Sequence, residues 1–224
     1  MTNEQIWKQY EEIYKDRSGT LVKDGIVCEE KYAEAKILLF LKEANQTNND
    51  SDNDNLANNL FIYKPWEMWL RVAEWVYGIS NTNKYCVPAY TELQSKTRED
   101  KHEEIKKIAV ININKADGTG TPDKKDINKR LVDALESNQN LLKAEIALSE
   151  PRIIICGGTY WYFQKLYNLP DMNGYKDYIT ADLGENKNVL IINSCHPAAH
   201  VSSLMSYYGI TNIYQQALKE GWQR

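Results

Sequence analysis

No apolar run in the 224-residue chain approaches the ~20 residues of a membrane-spanning helix. No Pro/Gly/Ser-rich stretch divides the chain, so one core in one domain over residues 1–224 is expected. The four cysteines, Cys28, Cys86, Cys156 and Cys195, form no C-x-x-C pair, and no secretory leader precedes them. Their wide spacing points to reduced thiols in a cytoplasmic protein, with no cofactor or metal. A strong positive charge is missing as well. The 27 Lys+Arg against 31 Asp+Glu leave a net charge of −4, which argues against coating nucleic acid by charge alone. Locally, residues 105–130 carry a modest basic strip (Lys106, Lys107, Lys115, Lys124, Lys125, Lys129 and Arg130 against three Asp), while residues 43–60 are acidic.

What is present is globular in kind, with 42% hydrophobic and 26% charged residues. Residues 3–17 place Ile6, Trp7, Tyr10, Ile13 and Tyr14 on one helical stripe. Four short apolar runs, residues 37–41, 108–113, 152–156 and 189–193, have the length and continuity of strands buried on both faces. Between them the periodicity predicts helices over residues 65–77 (with Gly78 as the stop), 91–107, 124–149 and 160–167, and after them one over 201–219. Residues 45–59 read as a polar surface loop and residues 117–122 as an exposed turn. The alternation predicts an α/β fold, a three-layer α/β/α arrangement around a central, mainly parallel four-stranded sheet. Residues 1–35 form an N-terminal extension packed on it.

Ligands of such sheets bind beyond the carboxyl ends of the strands. Those ends offer the carboxylate of Glu43, the amides of Asn45, Asn112 and Asn114, Lys115, the Gly157–Gly158 turn, and His196 followed by Pro197. Amides read nucleobase edges, and a neutral histidine donates a hydrogen bond to a developing anion. The same residues have structural readings: a tight turn, a satisfied histidine, a turn-capping asparagine.

Taken in order, four segments resemble the uracil-DNA glycosylase superfamily. They are Phe40-Leu41-Lys42-Glu43-Ala44-Asn45-Gln46, Ala109-Val110-Ile111-Asn112-Ile113-Asn114-Lys115, Pro151-Arg152-Ile153-Ile154-Ile155-Cys156-Gly157-Gly158 and His196-Pro197-Ala198-Ala199. They are most similar to the branch that reads GEAPG, tNvvK, P-x-v-I-v-x-x-G and HPaa. The resemblance covers roughly residues 36 to 205. It implies a repair enzyme that takes uracil or another deaminated base out of DNA and hydrolyses its N-glycosidic bond, and a monomer is expected.

Carried over, His196 stabilises the departing base, and Glu43 or Asn45 positions the attacking water. Asn112 reads the base edge, Ala44, Gln46 and Gly157 shape the pocket, and Phe61 or Tyr63 stacks on the base. Lys115, Gly158, Pro197 and Ala198 lie toward the DNA, and Leu204, Met205 or Tyr207 supplies a wedge. Lys42 stands where the family has a glycine, Asn45-Gln46 where it has Pro-Gly, and Ala116 where the branch has an iron–sulfur cysteine, so no cluster is expected. The alternatives are a relative that binds a nucleobase or nucleic acid without cleaving it, and a hydrolase of free nucleosides.

Overall fold

The computed structural model describes residues 1–17, 19–44, 55–62, 67–117, 124–172 and 176–223. In chain order the elements are α1 (Asn3–Tyr14), β1 (Gly25–Ile26), α2 (Glu29–Ala35), β2 (Ile37–Glu43), α3 (Leu56–Ile62), α4 (Glu67–Asn81), α5 (Tyr90–Gln94) and α6 (Arg98–Ile105). They continue with β3 (Ile108–Asn114), α7 (Lys124–Ser149), β4 (Ile153–Gly157), α8 (Tyr160–Tyr167), β5 (Tyr178–Leu183), β6 (Asn186–Ser194) and α9 (Ser203–Lys219). Among the described residues no helix is long and apolar enough to cross a membrane.

The four apolar runs become the parallel strands β3-β2-β4-β6, in register from Ile37 against Ile108 and Ile153, and from Ile153 against Leu190. Alternate side chains point to opposite faces, and both faces are covered, which is why the runs are continuous rather than alternating. Ile37, Leu39, Val110, Ile155 and Ile192 pack with Trp69, Val72 and Val76 of α4 and Ile210 and Tyr214 of α9. Leu38, Phe40, Ile111, Ile154 and Ile191 pack with Leu131, Leu142 and Ile146 of α7 and Phe163 of α8.

The sheet is not four-stranded. It has six strands in the order β1-β3-β2-β4-β6-β5 and is mixed, because β1 and β5 run antiparallel to their neighbours. Neither addition has an apolar run to announce it. β1 is two residues long, and β5 buries only Tyr178 and Leu183 fully. β5 is joined to β6 by a turn in which Gly184 takes φ +68°. Residues 19–35, expected as part of an extension, supply β1 and α2.

Three further corrections concern helices. The helix expected over residues 91–107 is two helices, because Thr97 opens a new one. Its hydroxyl accepts from Asp100 N at 3.1 Å, and the Asp100 carboxylate accepts from Thr97 N at 2.9 Å. α3 occupies part of the segment expected as a loop; residues 45–54, 118–123 and Pro65 lie outside the described residues. Gly78 does not stop α4, which runs on to Asn81. A Cβ there would stand 2.3 Å from Thr211 Cγ2 and 2.6 Å from Tyr207 Cε2, so the glycine lets α4 and α9 close up.

The strand order positions the site. From β2 the chain crosses to β3 on one side, and from β3 it returns past β2 to β4 on the other. The order reverses between β2 and β4, and the crevice at such a reversal is where open sheets bind ligands. In urea unfolding, Gly78→Ala is expected to lose about 1–3 kcal/mol through overpacking against α9. Gly209→Ala, where an added Cβ meets nothing within 4 Å, is expected to be neutral or to gain up to about 1 kcal/mol of helix propensity.

Candidate functional site

Three strand ends converge on the Gly157–Gly158 turn. A Cβ on Gly157 would lie 2.6 Å from Leu41 Cδ2 and 3.2 Å from Pro197 Cδ, so only a glycine lets the β2 end and the histidine loop approach β4 this closely. Gly158, at φ +69°, sits against the histidine loop and Lys42: a Cβ there would be 3.6 Å from His196 N and 3.9 Å from Lys42 Cε. Its amide donates to Ser194 O at 2.7 Å, tying β4 to β6. The buried Thr159 hydroxyl donates to Phe40 O at 2.6 Å, tying the same turn to β2.

His196 lies two residues beyond β6, and its Nδ1 accepts from Ala198 N at 3.1 Å. With Nδ1 an acceptor, the neutral ring carries its proton on Nε2. Among the described residues no hydrogen-bond partner takes Nε2. Burial, and then the charge of Lys42, hold the imidazole below its ordinary pKa. Pro197 is buried and Ala198 exposed. The loop that carries them is gripped by Arg71 of α4, whose guanidinium donates to Pro197 O, Ala199 O and Val201 O. A cleft of 610 Å³ adjoins this grip, lined by Arg71, Glu74, Lys101 and residues 197–201 among others.

Glu43, at the end of β2, is half-buried and oriented: Arg130 Nη2 donates to Oε1 at 3.0 Å and Asn114 Nδ2 to Oε2 at 3.2 Å. Ala44 is buried in the core. Asn45, Gln46 and Tyr63 lie outside the described residues. Phe61 is 43% exposed and lies under the ammonium of Lys106, 5.4 Å from its ring centroid. Lys106 lies two residues before β3, so Phe61 stands toward the amino end of the sheet, away from His196 at its carboxyl end.

Asn112 and Lys115 enter a different assembly. Asn112 is buried, and both its backbone N and its Nδ2 donate to Asp24 Oδ2, at 2.8 and 3.1 Å. The Lys115 side chain has no exposed surface; Nζ lies 2.6 Å from Asp24 Oδ1 and 2.9 Å from Glu145 Oε2. The expected phosphate contact of Lys115 is therefore replaced by a buried ion network, and the Asn112 amide donates to Asp24 rather than to a base. Tyr10 OH donates to Glu145 Oε2 at 2.9 Å. Burial works to lower the pKa of Lys115, but Asp24 and Glu145 more than offset it and leave it raised. Burial is also the main cause that pushes Glu145 up to about 7, with the charge of Asp24 adding to it.

No protein-family model matches the chain, and no curated protein matches it either. The site therefore stands on its own geometry, which unites Lys42, Gly157, Gly158, His196, Pro197 and Ala198 beside an oriented Glu43.

Sequence reasoning missed Asp24, Glu145, Tyr10, Arg130 and Arg71. Asp24 lies 88 residues from Asn112, and nothing in local spacing links them. Two signals were readable: Glu145 is a carboxylate on the buried stripe of α7, next to Ile146, and Arg71 is a lone cation among Trp69, Leu70, Val72 and Ala73.

The network makes stability depend on pH. Below the ordinary Glu value of 4.5, Glu145 is protonated folded and unfolded alike; between there and about 7 the folded state keeps a proton that the unfolded chain has lost. Stability from this group therefore falls as pH rises through that window. Urea unfolding of Glu145→Gln between pH 5 and 8 is expected to lack this downward slope relative to the parent chain.

Proposed function

We propose that the crevice at the ends of β2, β4 and β6 binds a nucleobase, and that the chain hydrolyses the N-glycosidic bond of uracil or another deaminated base in DNA. The observation that carries this reading is His196. It is half-buried beyond the end of β6 and against the Gly157–Gly158 turn, its Nδ1 is occupied by the Ala198 amide, and Nε2–H is left as a donor. As the C1′–N bond breaks, its electron pair moves onto the base, and a donor already aimed at the base oxygen stabilises that charge without reorganising. Lys42 adds a positive charge beside the same ring. The carboxylate of Glu43, held by Arg130 and Asn114, has lone pairs left to orient the water whose oxygen bonds to C1′ and to accept its proton.

The wedge expected after the histidine motif narrows to two residues. Tyr207 is fully buried and donates to Pro88 O at 3.0 Å, whereas Leu204 and Met205, at the start of α9, are 48% and 71% exposed. Taking a base out of a duplex costs a few kcal/mol more than from a single strand, and exposed apolar side chains at this rim would help to fill the gap.

A second reading is favoured by Asn112 and Lys115. Both are committed to Asp24, which removes one base-reading amide and one phosphate contact from the expected set. On that reading the chain binds a nucleobase or nucleic acid without cleaving it. Oligonucleotides carrying uracil, hypoxanthine or xanthine separate the two. Cleavage reduced roughly 100-fold or more in His196→Ala, the worth of one oxyanion donor, supports the hydrolase. Tight binding without cleavage by the parent chain supports the binding module, and the absence of both removes the nucleobase reading. If the hydrolase reading holds, Met205→Ala is expected to slow cleavage in a duplex more than in a single strand.

A further inference from the structure

The loop from His196 to Val201 has an unusual anchor. Arg71 Nη1 donates to Pro197 O and to Ala199 O, each at 2.7 Å, and Nη2 donates to Val201 O at 3.0 Å. A rigid guanidinium fork on three alternate carbonyls holds the loop to α4 with charge-assisted bonds. Among the described residues no carboxylate pairs with Arg71. Glu74, one turn further along α4, is taken by Lys101 at 3.0 Å and approached by Tyr90 OH at 3.5 Å.

The first of these bonds reaches the imidazole. Pro197 O and the Ala198 N–H belong to one peptide unit, and a trans peptide points its oxygen and its hydrogen in opposite directions. Arg71 holds the oxygen, and the hydrogen is thereby aimed at His196 Nδ1, 3.1 Å from Ala198 N. A cation on the carbonyl also polarises the unit and strengthens its N–H as a donor. The remaining bonds stop the loop from turning: Ala199 N donates to His196 O at 2.8 Å, while Arg71 takes the Ala199 oxygen.

We propose that Arg71 is a positioning residue for His196: acting through the Pro197–Ala198 peptide, it fixes which imidazole nitrogen carries the proton and so keeps Nε2–H as the donor. The role deepens the reading of His196 as the group that stabilises a departing base, and rests on it for its catalytic meaning. A lysine at position 71 would keep the charge but not the fork. Charge alone moves the imidazole's pKa, but it is the fork that selects between the two nitrogens.

The test is the tautomer of His196, read from long-range ¹H–¹⁵N correlations of the imidazole at pH 8. The parent chain is expected to show the Nε2–H form. Arg71→Ala is expected to shift the ratio toward Nδ1–H roughly fivefold, the worth of one hydrogen bond. Arg71→Lys is expected to leave the pKa near the parent value and to shift the tautomer ratio in the same direction, less far. A folded Arg71→Ala chain with the parent tautomer ratio overturns the proposal. If that variant does not fold, an Arg71→Lys chain with an unchanged ratio overturns it equally. Activity is a separate arm. Arg71→Ala is expected to lower kcat with KM little changed, and a His196→Ala chain that cleaves as well as the parent would sink the catalytic reading while leaving the tautomer result to decide the role of Arg71.

Discussion

A lysine ammonium with no exposed surface sets the terms for the amino-terminal part of this fold. Removing a charge from water costs several kcal/mol unless partners replace the lost hydration. Lys115 finds them in Asp24 and Glu145, which come from the approach to β1 and from α7. Trp7 and Tyr10 place their rings 5.2 Å from the same nitrogen, and Tyr10 also donates to Glu145. The raised affinity of Glu145 for a proton follows first from burial, with the charge of Asp24 adding to it and the Lys115 ammonium opposing it. The ammonium thus joins the approach to β1, the end of β3 and α7 in one ion network, which α1 covers with Trp7 and Tyr10.

That commitment divides the strand ends between two tasks. The end of β3 is turned toward structure: Asn112 and Lys115 both bind Asp24, and Asn114 lies between Glu43 and the Tyr14 hydroxyl, which donates to its Oδ1 at 3.1 Å. The ends of β2, β4 and β6 are left to form the crevice. Glu43 belongs to both halves, since Asn114 reaches it from the structural side and it is the neighbour of Lys42 in the chain.

The sequence made the four parallel strands and most helices legible because doubly buried strands must be continuously apolar and amphipathic helices must repeat at 3.6 residues. The 26-residue α7 was readable end to end for that reason. What it hid were elements held by partners rather than by pattern. β1 exists because two residues complete an edge of β3, and β5 because a glycine turn folds it back on β6. The same holds at the site. His196 and the glycine pair were legible from their order along the chain, whereas the amides of Asn112 looked available only because Asp24 is invisible from position 112. A side chain's partner is a property of the fold, except in local motifs such as the capping boxes of Thr2 with Gln5 and Thr97 with Asp100, where the partner lies three positions on.

The crevice that remains is specified by backbone more than by side chains. Gly157 and Gly158 admit the histidine loop to contact distance, and Gly158 and Thr159 then tie β4 to β6 and β2 through one amide and one hydroxyl. The imidazole inherits its orientation from a peptide unit whose oxygen is held by an arginine on a helix of the adjacent layer. Lys42 fits the same logic. Its stem passes over a glycine, and its charge, after burial, helps to hold the adjacent imidazole below its ordinary pKa. On the proposed reading, a neutral donor next to a fixed cation suits negative charge that appears only during reaction, since the cation resists protonation of the ring and attracts the anion once it forms. On that reading, the position that departs furthest from the glycosylase pattern it resembles has a physical role at the crevice.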